Sequence, residues 1–182
     1  LRMNLTARLA ACFPFLVALG VAGCQHSPAL RPAQAGPQSA MSSPVRVEKH
    51  GHVMEVTLDR PKVNAIDLAT SRALGEAFVN MQNDPDVRVG IVTAAGDRIF
   101  SAGWDLKSAN QNQEVGKWWE TTDYGPGGFA GLTELWSLNK PVIAAVYGLA
   151  LAGGFELAIA CDLTICAEHV ELALPELPIG II

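Results

Sequence analysis

The run Pro141-Val142-Ile143-Ala144-Ala145-Val146-Tyr147-Gly148-Leu149-Ala150-Leu151-Ala152-Gly153-Gly154-Phe155-Glu156-Leu157-Ala158-Ile159-Ala160 decides the fold class. Val142 to Val146 is an unbroken apolar stretch, the pattern of a strand buried on both faces. After the Gly-rich segment Gly148 to Gly154, a helix is expected over Phe155–Ala160. Asp162 to Cys166 reads as the next strand, and Val170 to Leu174 as a shorter one. Strands alternating with helices give an α/β protein.

Working outward, Val53 to Leu58 alternates and is rich in β-formers, so a strand is expected there, ended by Asp59-Arg60-Pro61. Asp67 is placed to cap a helix in which Leu74, Ala77, Phe78 and Met81 recur at helical spacing; Asp84-Pro85-Asp86 stops it. Val87 to Thr93 is a further strand. Ala94 to Asp97 turns the chain, and Ile99-Phe100 leads into Ser101-Ala102-Gly103-Trp104-Asp105-Leu106-Lys107. Residues 108–128 read as a polar, Gly-rich surface loop with a short helical piece, followed by a helix from Phe129 to Leu138.

The chain has 182 residues, 49% hydrophobic and 17% charged, enough for one domain with a real core. Its net charge of -5 and lack of a basic run exclude a typical nucleic-acid-binding face. The four cysteines, Cys12, Cys24, Cys161 and Cys166, form no CxxC pair, which speaks against a metal or redox centre. Cys161 and Cys166 read as small buried side chains.

The chemistry lies in three elements. Glu156 follows Gly153-Gly154 at a helix start, where unpaired N–H groups favour an anion and glycine admits a close approach. Glu176 stands in Leu174-Pro175-Glu176-Leu177-Pro178, where the prolines suggest an extended backbone. Gly103-Trp104 is a turn able to aim an N–H inward. Taken singly, each has a plain reading: a dipole-complementing glutamate, a solvated loop glutamate, a packing tryptophan. As an ordered set they supply two carboxylates for proton transfer and backbone donors for a developing oxyanion. His26, His50, His52 and His169 lie outside these elements, so Ser101 has no obvious base; neither a P-loop nor a GxGxxG after a strand is present.

The front of the chain is different. Arg2 and Arg8 precede an uncharged stretch, Leu9 to Gly23, ending Val21-Ala22-Gly23-Cys24. Residues 1–24 thus have a secretory layout resembling a bacterial lipoprotein signal, with Cys24 as the lipidated residue and 25–43 as a Pro-, Ala-, Gln- and Ser-rich linker. In the other reading residues 1–40 are upstream sequence, since Met41 opens a fresh segment before the first strand.

From Met41 to Ile182 the chain resembles the crotonase (enoyl-CoA hydratase/isomerase) superfamily and, within it, the carnitinyl-CoA dehydratase branch. The resemblance is carried by Thr57 to Asp67, Phe100 to Lys107, Gly125 to Glu134 and Pro141 to Ala160. It implies a spiral of ββα units, with residues 44–182 forming a crotonase domain incomplete at its C-terminus. Full-length relatives would assemble as trimers or dimers of trimers, and this polypeptide alone would be unstable or weakly active.

By the same resemblance, the backbone N–H groups of Trp104 and Gly153 hold a thioester oxygen, and Glu156 and Glu176 form the catalytic pair. Ala102, Leu106 and Lys107 line the CoA path, while Lys62 to Ala65 lies near the pantetheine arm. The implied reaction is reversible syn addition of water to an enoyl-CoA, with crotonobetainyl-/carnitinyl-CoA as the candidate couple. Coenzyme A belongs to the substrate, and no metal or other cofactor is expected. For a trimethylammonium group, Trp118, Trp119, Asp123, Tyr124 and Phe129 are candidates. A CoA substrate implies a cytoplasmic location, against membrane anchoring through Cys24. The competing readings are an enoyl-CoA isomerase using the glutamate near Glu176, and a non-catalytic lipid-anchored remnant.

Overall fold

Two sheets, whose strands alternate along the chain from β3 (Val89–Ala94) onward, organise the computed structural model, which describes residues 43–111 and 122–180. These residues fall within one unit, Ala40–Ile182. The readings of residues 1–24 and, apart from Ser43, of the linker lie outside the described residues.

Strands β1 (Val45–His50), β2 (Val53–Leu58), β3 (Val89–Ala94), β5 (Val142–Val146) and β7 (Leu163–Cys166) form a five-stranded sheet in the order β1-β2-β3-β5-β7. Only β1 runs antiparallel to its neighbour, with Val45 opposite Leu58; the others are parallel, in register at Val56↔Val92 and Ala144↔Thr164. Strands β4 (Ile99–Ser101), β6 (Leu149–Leu151) and β8 (Leu172–Ala173) form a parallel three-stranded sheet in the order β4-β6-β8.

The helices are α1 (Leu68–Asn83), α2 (Leu106–Gln111), α3 (Gly153–Ile159) and α4 (Glu176–Ile179). Three successive stretches therefore share one order: a strand of the large sheet, a strand of the small sheet, then a helix. They are β3-β4-α2, β5-β6-α3 and β7-β8-α4, the ββα spiral of an α/β protein.

Helix α1 forms where its apolar spacing expects it. Asp67 Oδ1 accepts from the Thr70 N–H (2.8 Å) and hydroxyl (2.7 Å), satisfying a first-turn donor. At the other end Lys140 Nζ donates to the carbonyls of Met81 (2.8 Å) and Asp84 (2.5 Å), a cation where the helix dipole is negative. Its buried face, Leu74, Ala77, Phe78 and Met81, joins Val56, Leu58, Val92, Ala144 and Val146 in the core. Phe100 from β4 and Leu157 from α3 join it.

Several elements differ from the sequence reading. The stretch Phe129 to Leu138 is not a helix: only a 3₁₀ turn, Phe129–Gly131, forms, because Gly127, Gly128, Ala130 and Gly131 all have positive φ. Strands β1, β4 and β6 were not expected as such; β1 exposes five of its six residues and β4 and β6 have three residues each, too little pattern to read. Glu176 is not extended but opens α4, following Pro175 at φ -86 and ψ 12. Cys161 is buried as expected, whereas Cys166 is exposed, because β7 is an edge strand with every residue open to solvent.

Candidate active site

Parallel sheets present ligands with the carboxyl ends of their strands, where the following turns gather. The small sheet does so three times. β4 leads into Ala102-Gly103-Trp104, β6 into Ala152-Gly153, and β8 into Pro175-Glu176. Pairing Ser101 with Ala150, and Ala150 with Leu172, sets these three exits side by side.

A cavity of about 910 Å³ opens there, lined among others by Trp104, Gly153, Glu156 and Glu176. Ala102 and Leu106 line it too, with Phe129, Thr133, Leu151, Ile159 and Ile179 supplying most of the rest of the wall. Both glutamates and both turns singled out from sequence thus share one space. Lys62, Ala65 and Lys107 do not line it: Lys62 and Lys107 are exposed, and Ala65 is half-buried with its carbonyl accepting from Arg60 at 3.1 Å.

The two turns touch. Gly103 has φ +81, and a Cβ there would fall 2.7 Å from the Gly153 nitrogen and 2.9 Å from the Leu151 oxygen. At Gly153 a Cβ would come within 2.6 Å of Phe129 Cζ. Glycine at 103 lets the main chains approach this closely, and glycine at 153 leaves room for the Phe129 ring.

The donors are oriented by their neighbours. The N–H groups of Phe155 and Glu156 both donate to Ala152 O (2.8 and 3.0 Å), leaving the Gly153 N–H as a first-turn donor without an intrahelical acceptor. Ile66 N–H donates to Gly103 O at 2.7 Å, and Asp105 N–H donates to Ile66 O at 3.0 Å. In a trans peptide the N–H lies opposite the carbonyl, so the Trp104 N–H points away from Ile66.

Glu156 is the fourth residue of α3, on the cavity side. Partial loss of water raises its carboxyl above the ordinary carboxylate value, and the Glu176 carboxylate raises it further. The residue is nevertheless exposed, because the cavity is open. A mostly apolar wall holding two carboxyls that interact is suited to passing protons to and from a bound molecule.

Other groups fall away from this site. Ser101 is fully buried; its hydroxyl donates to Asn64 O (2.7 Å) and accepts from Gly103 N–H (3.1 Å), a structural role. Burial, with Asp162 second, pushes the Cys161 thiol up to about 12, so it stays protonated. His52 and His169 are hydrogen-bonded to the carbonyls of Asp86 and Tyr147.

Of the cation-site candidates, Phe129 lines the cavity and Tyr124 packs edge-on against it, centroids 5.6 Å apart. Asp123 is on the surface beside Arg72, and Trp118 and Trp119 lie outside the described residues. Sequence reasoning missed Thr133, Ile159 and Ile179 as lining residues, since no local pattern marks a residue as facing a cavity.

Comparison with known proteins agrees with this architecture. The enoyl-CoA hydratase/isomerase family pattern matches residues 48–182, and the chain belongs to that family. Carnitinyl-CoA dehydratase of Salmonella arizonae is 56% identical over 142 residues, covering 78% of this chain and 52% of that protein. The structure of a carnitinyl-CoA dehydratase from Mycobacterium avium superposes with a TM-score of 0.66 at 39% identity, over 75% of this chain and 51% of that one. An enoyl-CoA hydratase/carnithine racemase from Magnetospirillum magneticum gives 0.69 at 28% identity, over 79% and 53%. The chain spans about half the length of the curated relatives it matches.

Proposed function

We propose that this protein is an acyl-CoA hydratase/dehydratase that adds water reversibly, in syn fashion, across the α,β double bond of an enoyl-CoA thioester. Crotonobetainyl-CoA and carnitinyl-CoA are the proposed couple, following the names of its relatives. One observation carries the reading: Glu156 and Glu176 share a cavity with two touching glycine turns, at Gly103-Trp104 and Gly153.

In this reading the thioester oxygen accepts from the N–H groups of Trp104 and Gly153. One glutamate, as carboxylate, takes a proton from water as its oxygen bonds to the β-carbon. The double-bond electrons pass to the α-carbon and carbonyl, giving an enolate, and the other glutamate, as acid, protonates the α-carbon. Each N–H donor lowers the barrier by roughly 3 kcal/mol, because negative charge on the oxygen grows toward the transition state. The raised Glu156 carboxyl supports the division of labour, since a proton carrier works best with its pKa near the working pH. Coenzyme A enters as part of the substrate, which favours a cytoplasmic location, and trimeric assembly is the proposed quaternary state.

Hydration of crotonobetainyl-CoA and of crotonyl-CoA, followed by loss of enoyl-thioester absorbance, tests the reading. Glu156→Gln and Glu176→Gln are each expected to lower kcat by roughly 10²- to 10⁴-fold. Full turnover in both variants would reject the pair. If only Glu176→Gln were inactive, double-bond isomerisation would replace hydration. Equal preference for the two substrates would reject the trimethylammonium substrate.

A further inference from the structure

Arg60 stands near the start of the loop that leaves β2 and lies outside the cavity, yet its guanidinium ties together the parts that fix Trp104. Its Nη2 sits 2.9 Å from Asp67 Oδ2 and 2.7 Å from Asp105 Oδ2, while Nη1 donates to Ala65 O at 3.1 Å. Asp67 caps α1, and Asp105 Oδ1 accepts from the N–H groups of Lys107 and Ser108 at the start of α2 (3.1 and 3.2 Å). Between these anchors run Ile66 and Trp104, joined as a parallel bridge.

We propose that Arg60 is a positioning residue that sets the orientation of the Gly103–Trp104 peptide, and so the direction of the Trp104 N–H. The bridge allows one plane for that peptide, because Ile66 engages Gly103 O on one side and Asp105 N–H on the other. The bridge holds only while the 60–67 loop and the 103–105 turn keep their separation. Arg60 spans the gap on the Asp105 side, with a planar fork able to serve two carboxylates and a carbonyl together, while Ser101 Oγ ties Asn64 O to the Gly103 N–H on the other.

The three groups are only partly exposed (27% for Arg60, 22% for Asp67, 14% for Asp105), so water competes weakly with the fork. Burial alone would raise the Asp105 carboxyl; its bonds to Arg60 and Ser108 outweigh that and hold it below the usual value, as expected of a carboxylate kept charged for this pairing.

The assignment rests on the reading of the Trp104 N–H as an oxyanion donor, and the test separates the two. In Arg60→Ala, kcat for enoyl-CoA hydration is expected to fall about 100-fold with KM within about 2-fold of the parent, since the donor matters most when charge develops. Arg60→Lys, which keeps the charge but not the fork, should be intermediate. Arg88→Ala, an exposed arginine before β3, should leave both constants unchanged. Amide hydrogen exchange at Trp104, read by NMR without substrate, should speed up selectively in Arg60→Ala.

Unchanged kcat and unchanged Trp104 exchange would overturn the proposal, as would a uniform rise in exchange over all amides, which marks simple destabilisation. If the parent protein hydrates no enoyl-CoA, the functional reading falls, and the Trp104 exchange alone decides whether Arg60 orients that peptide.

Discussion

Glu156 is a helix residue and the proposed proton carrier, and its surroundings favour the protonated form. Burial is the larger cause and the Glu176 carboxylate the smaller. Glu176→Gln should therefore lower the Glu156 pKa only part of the way back, which carboxyl ¹³C titration by NMR would read; a complete return would assign the shift to charge alone. The same shift enters stability. The folded chain holds the Glu156 proton to higher pH than the unfolded chain, so this group contributes stability that is fully present below the unfolded value. That contribution is lost as pH rises through the folded value. Glu156→Gln is expected to melt at a higher temperature than the parent above that window and at the same temperature below it. Thermal melts across pH check the sign.

At the scale of elements, the site depends on two turns packed at glycine, against main chain at 103 and against the Phe129 ring at 153. Gly103→Ala asks a Cβ to take φ +81 and to press on the Gly153 nitrogen. It should cost more than about 1 kcal/mol in urea unfolding and separate the turns at 103 and 153. Asp67→Ala removes a helix cap worth about 1 kcal/mol and leaves Arg60 Nη2 with Asp105 as its carboxylate partner. Helix α1 and strands β2 and β5 were legible in the sequence because their apolar residues repeat at a fixed period. The 3₁₀ turn at Phe129–Gly131 was misread because positive φ at Ala130 answers to packing, which a propensity argument does not contain. The glutamate pair was legible as a resemblance; the ties of Asn64, Ser101 and Arg60 around the Gly103–Trp104 turn were not, since each of those residues is ordinary until its partners are known.

For the whole molecule, the last-built strands and helices carry an apolar surface. Leu163 (59%), Ile165 (64%), Leu174 (54%) and Leu177 (76%) are widely open, alongside Ile159 and Ile179 at the cavity edge. Exposed patches of this kind bind apolar probes. The purified chain is expected to enhance the fluorescence of an apolar dye, and Leu163→Lys with Ile165→Lys to diminish it while leaving the melting temperature nearly unchanged. Equal dye binding by the double variant would place the apolar surface elsewhere.

The sequence by itself determined the α/β class and the first long helix with its cap, and it singled out Glu156 and Glu176 as candidates. Those follow from side-chain periodicity and from residue type, which are local properties of the chain. The tertiary structure decided that the exits of β4, β6 and β8 stand together, that the turns at 103 and 153 touch, and that Glu156 and Glu176 line one cavity. Strand pairing is made by backbone hydrogen bonds, which are alike at every residue. Which short strands pair is therefore settled only when the whole core closes around them.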